Sequence, residues 1–276
     1  MDTFKTISDF YEKYRGRKRI IGYSVLGNPI FALFAGKEEY PCVLVQYAIH
    51  AREWLTSFLA LEHISRGVMR GGVWFVPLAN PDGVALSQRG ADFLKTLKSD
   101  LAAFLLKINK GKDFSLWKAN ARGVDLNVNF DAKWGTGKQN VRYPASANYI
   151  GSMPFSEPET RALAEFTKEV KPDATISYHT KGGEIYYGFE GMASSSLEKR
   201  LAAVLSEETG YPSRIVKGSA GGYKDWCVEK LNIPAFTIEA GWDGFSHPLG
   251  EEARDSVFKE NGGVVLRLSE ELWKIK

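Results

Sequence analysis

The stretch that decides the fold is PCVLVQYAIHAREWLTSFLALEHI, residues 41–64. Its first nine residues form a near-continuous apolar run, the pattern of a strand buried on both faces. From residue 53 to about 70 the apolar positions shift to helical spacing, with Trp54, Leu55, Phe58, Leu59 and Leu61 forming a stripe. Where strand becomes helix sit His50, Arg52 and Glu53. Polar side chains there cost stability if buried without partners. A shared metal ion would give them one.

Working outward, the same alternation repeats. TFKTISDFYEKY reads as an amphipathic helix, and RIIGYSV and IFALFAG as strands around a Gly27-Asn28-Pro29 turn. GVWFVPLA is a buried strand that NPDG stops. Helical spacing returns in ADFLKTLKSDLAAFLLKIN, whereas 131–153 is a long loop rich in Gly, Asn, Pro and aromatics, a length usually tied to function. SEPE predicts a helix to about Val170, with Ser156 as N-cap and Glu159 closing a capping box. DATISYHT, EIYYGF and PAFTIEAG read as strands; SSSLEKRLAAVLSEETG (ended by Gly210), GYKDWCVEKL and one closing segment from 250 onward read as helices. Alternating elements with apolar strands predict an α/β fold: one domain over 1–276, a mixed, mostly buried sheet with helices on both faces.

Composition narrows the function classes. The 276 residues are 44% hydrophobic and 25% charged, ordinary for a globular protein. The net charge of +3 is interspersed, with no basic stripe, which speaks against nucleic acid. No run approaches the roughly 18 apolar residues of a membrane helix, and the first residues lack the apolar core of a signal peptide. These features predict a cytoplasmic protein. Cys42 and Cys227 are too few for a disulfide framework and read as buried free thiols.

Four segments put polar groups just beyond apolar strands: His50 to Glu53, DLNVNF at 125–130, His179 after TISY, and Glu239 in FTIEAG. In open α/β sheets ligands bind beyond the carboxyl ends of strands. His50 and Glu53 are three apart and share a face of a helical turn. With His179 they make two imidazoles and a carboxylate, leaving an open position, the pattern of catalytic zinc. Zinc makes water nucleophilic near neutral pH, and a further carboxylate must move the proton. Glu239 is the candidate. His63, well round the helix from Glu53, reads as structural, as does Asn129; His247 is a candidate cleft residue, and the aromatics of 134–149 read as loop packing.

HAREW, GVDLN, SYH and FTIE, in that order, resemble the zinc carboxypeptidase family of the carboxypeptidase A type. VPLANPDGV, PFSEPETRAL and IGYSVLGNPIFALFAG extend the resemblance over nearly the whole chain. It implies one Zn2+ on His50, Glu53 and His179, a ligand set for which carboxypeptidase A is itself a type case. It implies Glu239 as the catalytic glutamate, and Arg52 and Asn127 as substrate-binding residues. The family's oxyanion-stabilising arginine has two candidate counterparts, Lys118 and Arg122. Tyr223, with Lys217 and Lys224 nearby, falls where the family carries its substrate tyrosine.

One departure stands out. Where the family has Asn-Arg, this chain has Asn127-Val128. The arginine grips a substrate's free carboxylate, and valine cannot. This change, with SYHTKGGEIYYGF, resembles a bacterial branch that cleaves the γ-D-glutamyl bond to a diamino acid in cell-wall peptides. Lys224, Glu184 and Asp243 are candidates for the diamino acid's charged head. The expected partner is then a peptide, a muropeptide in this branch. The alternatives are an ordinary carboxypeptidase using Lys224 for acidic C-terminal residues, and a non-catalytic peptide-binding protein on the same fold.

Overall fold

The apolar runs become the middle of one sheet. The structure is a computed structural model that describes residues 2–275. Its strands are β1 (Lys18–Tyr23), β2 (Pro29–Gly36), β3 (Cys42–Tyr47), β4 (Gly72–Val76), β5 (Ala174–His179), β6 (Glu184–Tyr187), β7 (Ser213–Arg214) and β8 (Ala235–Glu239). They lie in the order β1-β2-β4-β3-β5-β8-β6-β7. The central strands β4, β3, β5 and β8 are mutually parallel; β2 and β6 join them antiparallel, with β1 antiparallel to β2 and β7 parallel to β6 at the edges. Every residue of β4 and β5 is buried; β4 accordingly runs apolar without alternation, whereas β5 alternates Ala174, Ile176 and Tyr178 with the buried polar Thr175, Ser177 and His179.

Alternate side chains feed two cores. On one face Val43, Val45, Tyr47, Phe75, Ile176 and Tyr178 pack with Leu55, Leu59, Leu201, Leu205, Val257 and Leu268. These come from the helices Leu55–Arg66, Ser196–Thr209, Glu251–Asn261 and Val264–Trp273. On the other face Leu44, Trp74 and Val76 meet Leu163 and Phe166 of Pro158–Val170 and Trp226 of Tyr223–Leu231. The sheet is therefore covered on both faces. Among the described residues no helix is long and apolar enough to cross a membrane. Both cysteines are free; Cys227 is buried and Cys42 only partly so.

Three local expectations change. The closing segment is two helices, broken at Gly262 and Gly263. Two adjacent glycines carry the highest entropic cost in a helix, and the break lets the chain pass closely: a Cβ on Gly263 would sit 1.9 Å from Glu208 Oε1. NPDG stops β4 but also opens a helix, Pro81–Arg89. Asn80 accepts from Gly83 N at 3.0 Å as N-cap, and Pro81 occupies the first turn, where a missing N–H is harmless. Ser156 does not cap the next helix. Pro158 fixes its start one residue later, Glu157 takes the cap position, and Ser156 Oγ instead donates to Glu157 Oε1 at 2.9 Å.

Carboxylates tie the strand edges to these helices. Asp82 accepts from Ser24 Oγ at 2.7 Å, Leu26 N at 2.8 Å and Asn28 Nδ2 at 2.7 Å, clamping the β1–β2 turn. Glu159 accepts from Val25 N at 3.0 Å and is 2% exposed. Burial, reinforced by Asp82 and Glu157, pushes its carboxyl up to about 7. The folded state therefore binds this proton more readily than the unfolded chain, where the group titrates near 4.5. Its contribution is fully present below the unfolded value and is lost as pH rises through about 7. Glu159→Gln should remove that part of the pH dependence, on the order of 2–3 kcal/mol between pH 4.5 and 7.5. Urea unfolding across this range checks it; a slope unchanged by the substitution would assign the proton elsewhere.

Candidate active site

The parallel register delivers the site. His179 ends β5 and Glu239 ends β8, and the two are direct cross-strand partners. His50 follows β3 after a sharp turn at Ala48, whose φ is 49° and whose N–H is held by Thr56 Oγ1 at 2.9 Å. The chain then makes one 3₁₀ turn, Ala51–Glu53. Residues three apart eclipse in such a turn. It brings Glu53 Oε1 to 2.9 Å from His50 Nδ1. Glu53 Oε2 lies 2.9 Å from His179 Nδ1, and the two Nδ1 atoms are 3.0 Å apart. All three side chains are buried.

The outer ring nitrogens have partners of their own. His50 Nε2 is 3.2 Å from Asp125 Oδ1, and His179 Nε2 is 3.0 Å from Ser177 Oγ, which Gln46 also contacts. Donation outward from both Nε2 atoms assigns lone pairs to both Nδ1 atoms. Two lone pairs and a carboxylate then face one point in a buried site, which repels unless a cation occupies it. The donor set suits zinc: neutral imidazoles, one carboxylate, and an oriented second layer. Burial alone would raise Glu53, but the two imidazoles outweigh it and hold the carboxyl far below its usual range. Burial alone would lower His50, and Glu53 and Asp125 reverse that.

Asp125 is the functional residue that sequence reasoning passed over. It is fully buried, caps its own turn through Asn127 N at 3.1 Å, holds Asn148 N at 3.0 Å, and pairs with Lys118 Nζ at 3.3 Å. Lys118 and His50 keep it ionised despite its burial. The available signal was a carboxylate inside an apolar GVDL run, a costly placement without partners.

A cavity of about 350 Å³ opens beside these groups, lined by His50, Lys118, Asn127, Val128, Lys217 and Glu239 among others. A smaller one, about 100 Å³, adjoins it, lined by Asn127, Tyr186, Lys224, Asp225, Thr237 and Glu239. Burial pushes the Glu239 carboxyl up to about 7, against the pull of His179, Lys118 and Arg52. A larger groove, about 460 Å³, lies at the other end of the sheet by Arg17, Arg19 and Trp74. Its two arginines are paired with Glu38 and Glu169, and none of the convergent groups reaches it.

The remaining expected residues divide. Lys118 lines the cavity, whereas Arg122 is exposed, turned toward Glu157 at 3.7 Å, and lines neither cavity. Arg52 has a buried Nε with no partner, and its charge acts on Glu239. Asn127 lines both cavities and accepts from Tyr223 N at 3.1 Å. The side chain of Tyr223 points the other way: its hydroxyl meets Thr167 Oγ1 at 2.9 Å and its ring packs with Phe130 and Trp226. One position of helical rotation explains it, since the neighbouring Lys224 faces the small cavity. Lys224 Nζ lies 2.5 Å from Asp225 Oδ1 and from Gly188 O. Glu184 is held by Tyr186 and Arg214 at 2.5 and 2.6 Å, and Asp243 by Lys181 at 3.2 Å; neither lines a cavity. His247 lines neither as well; burial and Arg52 push it down to about 4. His63 sits between Tyr47 Oη at 2.7 Å and Asn261 O at 2.9 Å, and Asn129 braces the 150–160 segment; both are structural.

Known proteins resemble this chain in sequence and in fold. Residues 6–254 match the zinc carboxypeptidase family, peptidase M14. The chain is 30% identical, over 96% of its own length and 70% of the relative's, to gamma-D-glutamyl-L-diamino acid endopeptidase 1 of Lysinibacillus sphaericus. It is 25% identical to carboxypeptidase B of Bos taurus, over 79% of this chain and 56% of that one. The murein-tripeptide amidase MpaA of Escherichia coli O157 superposes with a TM-score of 0.60 at 22% identity, covering 96% of this chain and 94% of the other. Metal-ligand geometry, fold and family profile agree: the chain belongs to the zinc carboxypeptidase family, and it is a metallopeptidase.

Proposed function

We propose that this enzyme cleaves a γ-D-glutamyl bond to a diamino acid in cell-wall peptides, with residues 1–276 acting as one catalytic unit. The observation that carries the reading is the ion pair Lys224–Asp225 lining the small cavity beside Glu239. A diamino acid ends in an amino-carboxylate head, and a pocket offering both charges complements it. Val128, in place of the family arginine, supports the same reading, as does the activity named for the Lysinibacillus relative. A cytoplasmic setting, where released wall peptides would be met, belongs to this proposal.

Zinc held by His50, Glu53 and His179 would supply Lewis-acid activation of water and of the scissile carbonyl. The chain's own groups do the rest. Glu239, at the end of β8, takes a proton from the attacking water and returns it to the leaving nitrogen. Burial favours this role by bringing its proton affinity near neutrality. Lys118 Nζ, steadied by Asp125, faces the negative charge that develops on the carbonyl oxygen. Arg52 and Asn127 orient the substrate. Arg122, directed at Glu157, is left out of the oxyanion role. The second reading, an ordinary carboxypeptidase, is favoured by one fact: a lysine in the pocket also suits an acidic C-terminal side chain.

Mass spectrometry of products from L-Ala-γ-D-Glu-meso-diaminopimelate and from an α-linked peptide separates the two. Release of diaminopimelate from the first alone is expected; trimming of the second alone would return the chain to the ordinary carboxypeptidases. Glu239→Gln should keep stoichiometric zinc and lose about 10²–10⁴ in kcat. Retained turnover would mean another base, and full-length protein with no zinc and no effect of chelator would leave only a binding role. Ser177→Ala should weaken zinc binding by about 10–100-fold, read by competition with a chelating dye, because His179 loses the partner that orients it. An unchanged zinc affinity would show that strand β5 alone positions the ring.

A further inference from the structure

Val128 removes a cation from the place where a substrate carboxylate is expected, yet the cavity is rich in positive charge. Lys138 and Lys217 both line it, together with Val128 and Glu239. They come from two different segments, Lys138 from the long 131–153 loop and Lys217 from the connection between β7 and the helix Tyr223–Leu231. The two segments are laced together. Lys138 N donates to Gly218 O at 3.0 Å, Gly221 N to Ala132 O at 2.8 Å, and Phe130 N to Gly221 O at 2.9 Å. Gly218 has a φ of +76°, and a Cβ there would lie 2.7 Å from Lys138 Cδ and 2.9 Å from Cε. The glycine thus makes room for the Lys138 stem to lie across the neighbouring segment, next to Lys217.

The cavity's third lysine, Lys118, is already engaged with Asp125, and Lys224 of the adjoining smaller cavity with Asp225. Lys138 and Lys217 are exposed and have no ion-pair partner among the described residues. Two unneutralised ammonium groups on one cavity wall repel each other, and an anion between them removes that cost. We infer that Lys138 and Lys217 form a two-lysine clamp for a free carboxylate of the leaving residue, in place of the arginine absent at Val128. The inference rests on reading this cavity as the substrate cleft.

Lysine and arginine clamps differ in what they demand. Arginine offers a rigid planar fork, whereas each ammonium is a point charge on a flexible stem. A lysine pair therefore tolerates a carboxylate set at varied angles. Because both groups are exposed, salt screens their attraction, and substrate affinity falls with ionic strength more than for a buried arginine.

The test uses zinc-loaded Glu239→Gln protein, which holds substrate without turnover, and calorimetry. The probes are L-Ala-γ-D-Glu-meso-diaminopimelate and an α-linked dipeptide, each with its leaving-residue carboxylates free or as amides. Whichever peptide binds, the free-carboxylate form should bind about tenfold tighter than the amide. That preference should vanish in the added double variant Lys138→Met/Lys217→Met, which keeps the apolar stem over Gly218, and the affinity for the amide should stay the same. A preference that survives the double variant, equal binding of both forms, or binding of neither peptide would overturn the clamp. If only the α-linked peptide binds and shows the preference, the clamp stands and the wall-peptide substrate falls.

Discussion

Everything at the catalytic end depends on one constraint, the parallel alignment of β3, β5 and β8. Parallel strands end on the same side, so residues 129 positions apart in sequence, such as His50 and His179, meet with ring nitrogens 3.0 Å apart. The register sets the finer geometry: His179 pairs with Glu239, so a candidate zinc ligand and the proposed proton acceptor are neighbours on adjacent strands. A one-residue slip would turn each side chain to the opposite face. The fully buried β5, with Tyr178 stacked on Tyr47 at 5.2 Å, resists that slip, because it would move Ala174, Ile176 and Tyr178 out of the apolar core they share with β3 and β8.

The buried charges follow from the same geometry. Glu53 and Asp125 are carboxylates with almost no water contact. Unpaired, each would rather take a proton. Glu53 instead faces two imidazoles, and Asp125 faces His50 and Lys118. Glu239 is the exception: among the described residues its carboxyl has no hydrogen-bond or ion-pair partner, only the pull of the charges on His179, Lys118 and Arg52. Its burial is thus compensated for charge but not for direct bonding. That suits the proton exchange proposed for Glu239, whereas Asp125, bonded on both sides, is fixed in its charged form.

Much of this was legible because strand ends carry the chemistry. Long apolar runs such as 41–49 and 72–78 announce buried strands; polar residues at their ends serve either structure, as Asn80 and Asp82 do, or the site, and it was the convergence of His50, Glu53, His179 and Glu239 at several strand ends that pointed to a site. Where the sequence misled, the reason was local rotation or capping. Tyr223 and Lys224 are adjacent in a helix, so only one can face the cavity, and sequence spacing does not say which. Lys118 and Arg122 lie in a loop without periodicity, and only the tertiary partners, Asp125 for one and Glu157 for the other, separate them. The two-residue β7 has no hydrophobic pattern at all; it exists because β6 offers an edge to pair with.

The distribution of lysines around the cavity follows a rule of burial. A lysine that is buried must be paired, because an isolated ammonium in a dry site shifts its titration or disrupts the fold. Lys224 is 5% exposed and already shares its charge with Asp225. Lys118 is less buried and is likewise coupled to a carboxylate. Such groups orient and polarise, yet each brings a counter-charge that blunts its attraction for an incoming anion. Net attraction must come from the rim, where water bears the cost of leaving a charge unpaired. Lys138 and Lys217 stand there, on segments joined by backbone hydrogen bonds. With valine at 128, the proposed clamp would place carboxylate recognition at the mouth of the cleft, on two flexible charges in place of one planar fork.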